Sequence, residues 1–481
     1  MPSVHVPPRF FAGLLLAGLG ICAQAAALPD AFTAALKQAG IPLTHVAVQV
    51  QPLDADRPLL SHNAGAALNP ASVMKLVTSF AALHRLGPGY TWTTDVWADG
   101  PIADGVLQGN LVIKGHGDPT LTLERIWLLQ RELRARGVRH IRGNLVLDTG
   151  HFNLPAFDPD AFDDTPLAPY NAPPGALVAN FNAITLRLKP ETDRVRIAPD
   201  IALPGVTFTS RLVLTDGACN GWRSALAPAF LDDARNELVV SGVYPRGCGE
   251  QAWPLSLFAP AATFDFIFRD LWTASGGTLA GPTVAGAAPA SEPLLQFASE
   301  PVSQVLNRLN KHSNNLMTRN LFLTLGAERH GAPATLEKSA AAVRELLEQR
   351  DVPTHKLVLE NGAGLSRIER ISADMLTRLL HAAYRSPLFS EFESALPIAA
   401  LDGTLKRRFN GSAVGGSAHL KTGTLRDASA LAGYVYTAQG QRVSLVLLIY
   451  HANATRSEAA QRALLEWVYW MPPAQAGNGA R

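Results

Sequence analysis

The sequence predicts an α/β (α+β) fold: an antiparallel sheet flanked by helices, assembled from both ends of the chain and interrupted by a large β-rich insertion. Helical periodicity is concentrated before about residue 90 and after about residue 290. Between them run short alternating segments with Gly and Pro turns, such as "GVLQGNLVIKGHGDP", "RHIRGNLVLDTGHF" and "ITLRLKPETDRVRI". Near the end, "SAHLKTGTL", "SALAGYVYTAQG" and "QRVSLVLLIYHA" read as consecutive strands, the last two turning at Gln439-Gly440. One domain is therefore expected from residues 28–90 and 291–481, with residues 91–290 inserted into it as two nested subdomains.

The chain of 481 residues is 47% hydrophobic and 17% charged, ample for a large core. Its formal charge of +2 and the lack of a long basic run exclude a row of phosphates as partner, so no nucleic acid is expected. At the start, Arg9 precedes an apolar run from Phe10 to Cys22, and small residues at Ala23, Ala25 and Ala27 fit a cleavage site. Residues 1–27 thus read as a signal peptide and the mature chain as periplasmic. The run is well short of the ~20 residues a membrane span needs, and Ile21 before Cys22 is too large for a lipoprotein signal. No integral membrane segment is expected after cleavage. Removal of Cys22 leaves Cys219 and Cys248, which an oxidising compartment would join in a disulfide; two buried free thiols is the alternative.

Following the leader, Pro29 to Gly40 reads as a short amphipathic helix and "HVAVQVQPL" as a strand from His45. A helix then starts near Pro70, where a missing N–H costs nothing, and Val73, Leu76, Val77, Phe80 and Leu83 recur at helical spacing. Leu121 to Arg136 is the one amphipathic helix of the β-rich block. The echo between "GNLVIKG" and "GNLVLDTG" reads as two similar strand-and-turn units rather than a repeat. Helices return in "VSQVLNRLNKHSNNLMTRNLFLTLGAERHG" and "LEKSAAAVRELLEQRD", and a last one closes the fold from Ser457 to Trp470.

Three short stretches carry chemistry. Ser72 and Lys75 lie one helical turn apart, so a lysine made neutral by burial and a nearby cation could take the serine's proton. "KHSNNLM" places Ser313 and Asn315 as S-x-N, where a hydroxyl can relay a proton and an amide can hold a carbonyl. "HLKTGTL" sets Lys421, Thr422 and Gly423 on a strand, where cation and hydroxyl can grip a carboxylate and glycine admits a substrate backbone. Each motif alone is common. In the order S-x-x-K, S-x-N, K-T-G they form the set shared by penicillin-binding proteins and β-lactamases. "GHGDP" is no dinucleotide fingerprint, His116 and His312 read as polar loop residues, and the chemistry needs no metal or cofactor.

With about 240 residues between Ser72 and Ser313, the chain resembles the class C low-molecular-mass penicillin-binding proteins, the D-alanyl-D-alanine carboxypeptidase and endopeptidase family that includes penicillin-binding protein 4. "PYNAPPGALVANFN", "VSGVYPRGCG", "GAGLSRIERIS" and "LPIAALDGTLKRR" extend the likeness over essentially the whole mature chain. The resemblance implies a serine penicillin-recognising fold and acyl transfer on peptidoglycan stem peptides, with β-lactams as covalent inhibitors. Ser72 would be the nucleophile and Lys75 the base. Ser313 and Lys421 would pass the proton to the leaving amine, while Asn315 positions the amide. Lys421 and Thr422 would hold the terminal carboxylate, and the N–H groups of Ser72 and Thr424 would form the oxyanion hole.

The resemblance also matches Asp148 and Arg367 to residues that hold a diaminopimelate side chain, with Phe152 as packing neighbour. A solvated turn for Asp148 and a structural salt bridge for Arg367 are the competing readings. Ala363 stands where the family commonly has serine, and Arg426 where some relatives have glutamine, which alters the side-chain pocket. Two other functions remain open: a β-lactamase or esterase on the same scaffold, and a non-catalytic peptidoglycan-binding protein.

Overall fold

The computed structural model describes residues 27–472. The expected signal peptide lies, apart from its last residue, outside them. Among the described residues no helix is long and apolar enough to cross a membrane.

The central sheet has five antiparallel strands drawn from both chain ends. They are β1 (Val46–Pro52), β2 (Leu60–His62), β3 (Ala418–Thr424), β4 (Ala428–Tyr436) and β5 (Arg442–Tyr450), in the order β2-β1-β5-β4-β3. β1 closes the gap between the two ends by pairing with β5, Val48 opposite Leu447. Alternation along each strand then divides the side chains between two cores. Val46, Val48 and Val50 with Leu445, Leu447 and Ile449 face helices α1 (Asp30–Gln38) and α7 (Glu458–Trp470) through Phe32, Leu36, Leu464 and Val468. Ala47, Ala430, Ala432, Val446 and Leu448 face the helical layer on the other side.

That layer holds α2 (Lys75–Arg85), α3 (Val302–His312), α4 (Asn315–His330), α5 (Leu336–Glu348) and α6 (Ala373–Tyr384). α2 is its axis: every residue from Lys75 to Leu83 is buried, and Phe80, with side-chain burial worth about 1.5–3 kcal/mol, sits at the centre. The five apolar positions spaced along the sequence here are all buried. The start differs from expectation. Ala71–Met74 form a tight 3-10 turn, entered through Ala71 at φ 46°, and the α-helix begins only at Lys75. The periodic stretch after Val302 forms two helices, α3 and α4, divided at Ser313, which takes φ 55°. Asn314 then caps α4 by accepting the Met317 N–H at 2.9 Å.

The β-rich block has its own core. Its main sheet runs Thr283–Ala285, Leu145–Asp148, Asn110–Gly115, Thr93–Asp99, Leu295–Ala298. The two echoing segments are neighbouring parallel strands of this sheet, Leu111 opposite Leu145, joined by the helix Leu123–Ala135; parallel neighbours need such a crossover. Two outer three-stranded sheets follow, and Cys219 and Cys248 are joined in a disulfide. The block meets α4 through Asn320. Its side-chain N–H groups reach the carbonyls of Gly117 and Gly175 at 3.1 and 3.0 Å, and its oxygen accepts the Gly175 N–H. The "GHGDP" loop is thus a docking turn, and His116 in it pairs with Asp95 at 3.0 Å.

Candidate active site

The tight turn at the head of α2 presents Ser72 half-buried while Lys75, one turn on, points into the protein with no exposed surface. Lys75 Nζ lies 2.9 Å from Ser72 Oγ, 2.7 Å from Asn315 Oδ1 and 2.5 Å from the Ala363 carbonyl oxygen. The last two can only accept. A neutral amine gives them its two N–H groups and keeps its lone pair for the Ser72 hydroxyl. Burial is the main force lowering the Lys75 pKa well below its usual value, with the positive charges of Lys421 and Arg319 adding to it and Glu369 opposing.

Asn315 opens α4, directly after the Ser313 break, and its amide N–H group donates to the Tyr170 carbonyl of the inserted block at 3.0 Å. That bond fixes which end of the amide faces Lys75. Ser313 Oγ accepts from Lys421 Nζ at 2.8 Å, and the same nitrogen donates to the Thr422 carbonyl. Burial lowers the Lys421 pKa to about 7.

β3 approaches the Ser72 turn closely. A Cβ on Gly423 would lie 2.4 Å from the Pro70 carbonyl oxygen and 3.1 Å from Ser72 N, so only glycine allows the contact. Gly364, at φ 80°, meets the turn from the other side, where a Cβ would come within 1.8 Å of the Ala71 oxygen. Thr422 Oγ1 is 2.9 Å from Thr404 Oγ1, and Thr424 at the strand end is exposed. Ser72, Lys75, Ser313, Asn315, Lys421 and Gly423 are therefore brought together from segments remote in sequence.

The remaining three candidates have other neighbours. Asp148 accepts the N–H groups of Gly150 and Ala288, both at 2.9 Å, and lies 3.9 Å from Lys114 Nζ. Phe152 packs with Leu323, Ala327 and Ala334 where the inserted block meets the helical layer. Arg367 sits over the Phe162 ring at 4.3 Å and 3.4 Å from Asp427, while Phe162 itself packs beside Ala71 and Leu425. The aromatic partner of Arg367 is thus Phe162, and no contact joins Arg367 to Asp148. Sequence reasoning also passed over Thr404, Arg319 and Glu369. Thr404 sits in the quoted "LDGTLKRR", but nothing in its spacing places it opposite Thr422.

A model of the D-Ala-D-Ala carboxypeptidase 3 (S13) family matches residues 28–469. The chain belongs to that family. This S13 member is 31% identical to the D-alanyl-D-alanine carboxypeptidase of Actinomadura sp. (strain R39), over 88% of its own length and 81% of that protein. In fold it is similar to penicillin binding protein 4 (dacB) from Haemophilus influenzae, with TM-score 0.78 at 22% identity, covering 92% of this chain and 100% of that one. The same Haemophilus protein has also been solved complexed with a β-lactam, with TM-score 0.74 at 22% identity over 92% and 99% of the two chains. A predatory endopeptidase, Bd0816 from Bdellovibrio bacteriovorus, shares the fold at TM-score 0.52 and 16% identity, covering 88% and 92%. The serine penicillin-recognising fold and the assignment as a D-Ala-D-Ala carboxypeptidase, a hydrolase, follow from these matches.

Proposed function

We propose that this S13 carboxypeptidase works through an acyl-enzyme on Ser72, that it is exported to the periplasm, and that it also cleaves D-Ala cross-links as a peptidoglycan DD-endopeptidase. One observation carries the reading: Lys75 Nζ is buried between two obligate acceptors and the Ser72 hydroxyl. Ser72 Oγ attacks the carbonyl of the penultimate D-alanine as its proton passes to Lys75. The N–H groups of Ser72 and Thr424 stabilise the oxyanion; the close approach of Gly423 to Ser72 supports this placement. The C–N bond then breaks as the proton taken from Ser72 is relayed from Lys75 through Ser313 and Lys421 to the departing amine, which leaves both lysines as they began. Water resolves the ester and returns Ser72 and its proton. Lys421 and Thr422 hold the substrate's terminal carboxylate, with Thr404 steadying the Thr422 hydroxyl. Arg367, half-exposed over Phe162, is offered to the charged side chain of the stem peptide.

A β-lactam presents a strained amide to the same nucleophile and leaves a stable adduct. Fluorescent penicillin should therefore label the protein covalently, and Ser72→Ala should abolish labelling while far-UV circular dichroism stays unchanged. Labelling of the alanine variant would move the nucleophile elsewhere. Mass analysis of cross-linked muropeptides after digestion tests the endopeptidase part: intact dimers alongside released D-alanine would restrict the enzyme to carboxypeptidase action.

A further inference from the structure

We propose that Glu369, two residues beyond Arg367, is the positioning residue that shapes the loop behind the catalytic lysine. Its carboxylate is fully buried, and four backbone N–H groups converge on it. Oε1 accepts from Glu360, Asn361 and Gly362 at 3.0, 2.9 and 2.8 Å, and Oε2 from Gly364 at 2.9 Å. Such a ring of inward N–H groups is an anion-binding nest, here filled by the protein's own carboxylate. Gly362 and Gly364, at φ 68° and 80°, permit the winding this needs.

With its N–H groups turned in, the loop turns carbonyls out, and two of them reach α2. The Ala363 oxygen receives Lys75 Nζ at 2.5 Å, and the Gly362 oxygen receives the Thr78 hydroxyl at 2.7 Å. The segment leading to Glu369 also holds the nucleophile's turn. Ser366 Oγ accepts the Glu369 N–H, the Ser366 carbonyl accepts from Asn69 Nδ2, and Asn69 Oδ1 accepts the Ala71 N–H next to Ser72. One carboxylate therefore organises both an acceptor of the base and, through Ser366 and Asn69, the turn that carries the serine. Fully engaged and buried, it is not available to activate a water for deacylation.

This inference rests on the reading of Ser72 as nucleophile and Lys75 as base. Charged groups facing Lys75 are Lys421 and Arg319, which disfavour its ammonium, and Glu369, which favours it. Glu369→Gln sets an NH2 group against one of the converging N–H groups and removes the charge. The second-order rate constant for acylation by fluorescent penicillin should then fall roughly ten- to hundred-fold, and the acidic limb of its pH profile should move to lower pH. A merely structural role would reduce the labelled fraction and leave the limb of the surviving enzyme in place. Thr78→Val releases the same loop from α2 without touching the charge: the rate should fall and the limb should stay, and this variant decides the matter if Glu369→Gln does not fold. Wild-type rates in Thr78→Val, or in a folded Glu369→Gln with an unmoved limb, overturn the proposal. Persistent labelling of Ser72→Ala in the same experiment would instead overturn the nucleophile assignment beneath it.

Discussion

Serine and lysine at i and i+3 meet on any helix; burial gives this pair its chemistry. Lys75 faces two cations, Lys421 and Arg319, and a single carboxylate, Glu369. Burial also lowers the pKa of Lys421, to about 7. Arg319→Met removes one cation that disfavours the Lys75 ammonium, so the acidic limb of penicillin acylation should shift to higher pH. An unmoved limb would mean that Arg319 does not tune the base. Steric fit is as strict as charge. Gly423→Ala puts a methyl 2.4 Å from the Pro70 oxygen, a backbone atom that can yield only by moving the Ser72 turn. Acylation should slow on the order of a hundred-fold, measured by stopped-flow with a chromogenic β-lactam; an undiminished rate would show that the turn can give way freely.

At the scale of elements, the site depends on a helix that ends early. The left-handed Ser313 separates α3 from α4 and puts its hydroxyl on Lys421 Nζ, while Asn314 restarts the helix so that Asn315 faces Lys75. An unbroken helix would point these side chains to different faces. α4 is also where the inserted block is held, by Asn315 on Tyr170, Arg319 on Ala172 and Asn320 on Gly117 and Gly175. Asn320→Ala leaves the buried Gly117 carbonyl and the half-buried N–H and carbonyl of Gly175 without this partner, a buried group so stranded costing about 1–3 kcal/mol. The denaturation midpoint should fall accordingly. If the block serves to orient Asn315 through the Tyr170 carbonyl, acylation should fall with it; lowered stability at full acylation rate would separate docking from catalysis.

For the molecule as a whole, buried lysines tie stability to pH. An unfolded Lys421 titrates near 10.5 and the folded one near 7, so between these values the unfolded chain binds more protons. Stability must then rise with pH across that window, and below it the full cost of a buried ammonium is present. Guanidinium midpoints should increase as pH is raised from about 7 towards 10.5, and the increase should shrink in Lys421→Met. An equal increase in that variant would place the titrating group elsewhere.

Along the chain, local patterns were legible: the apolar spacing of α2, the three terminal strands, the insertion and the order of the three motifs could each be read because helix and strand periodicity and turn residues are local properties. The even cysteine pair reads as a disulfide, and Cys219 and Cys248 are joined in one. What sequence spacing could not supply was which remote groups meet. Ser313 takes a left-handed conformation inside a helically periodic stretch, and Phe162, far from Arg367 in sequence, lies under it. Glu369 belongs to an ordinary "RIER" stretch until the loop closes around it. The sequence by itself determined the identity and order of the candidate reactive groups. Only the tertiary structure decided their burial and mutual aim, because desolvation and hydrogen-bond geometry come from neighbours contributed by segments far apart in the chain.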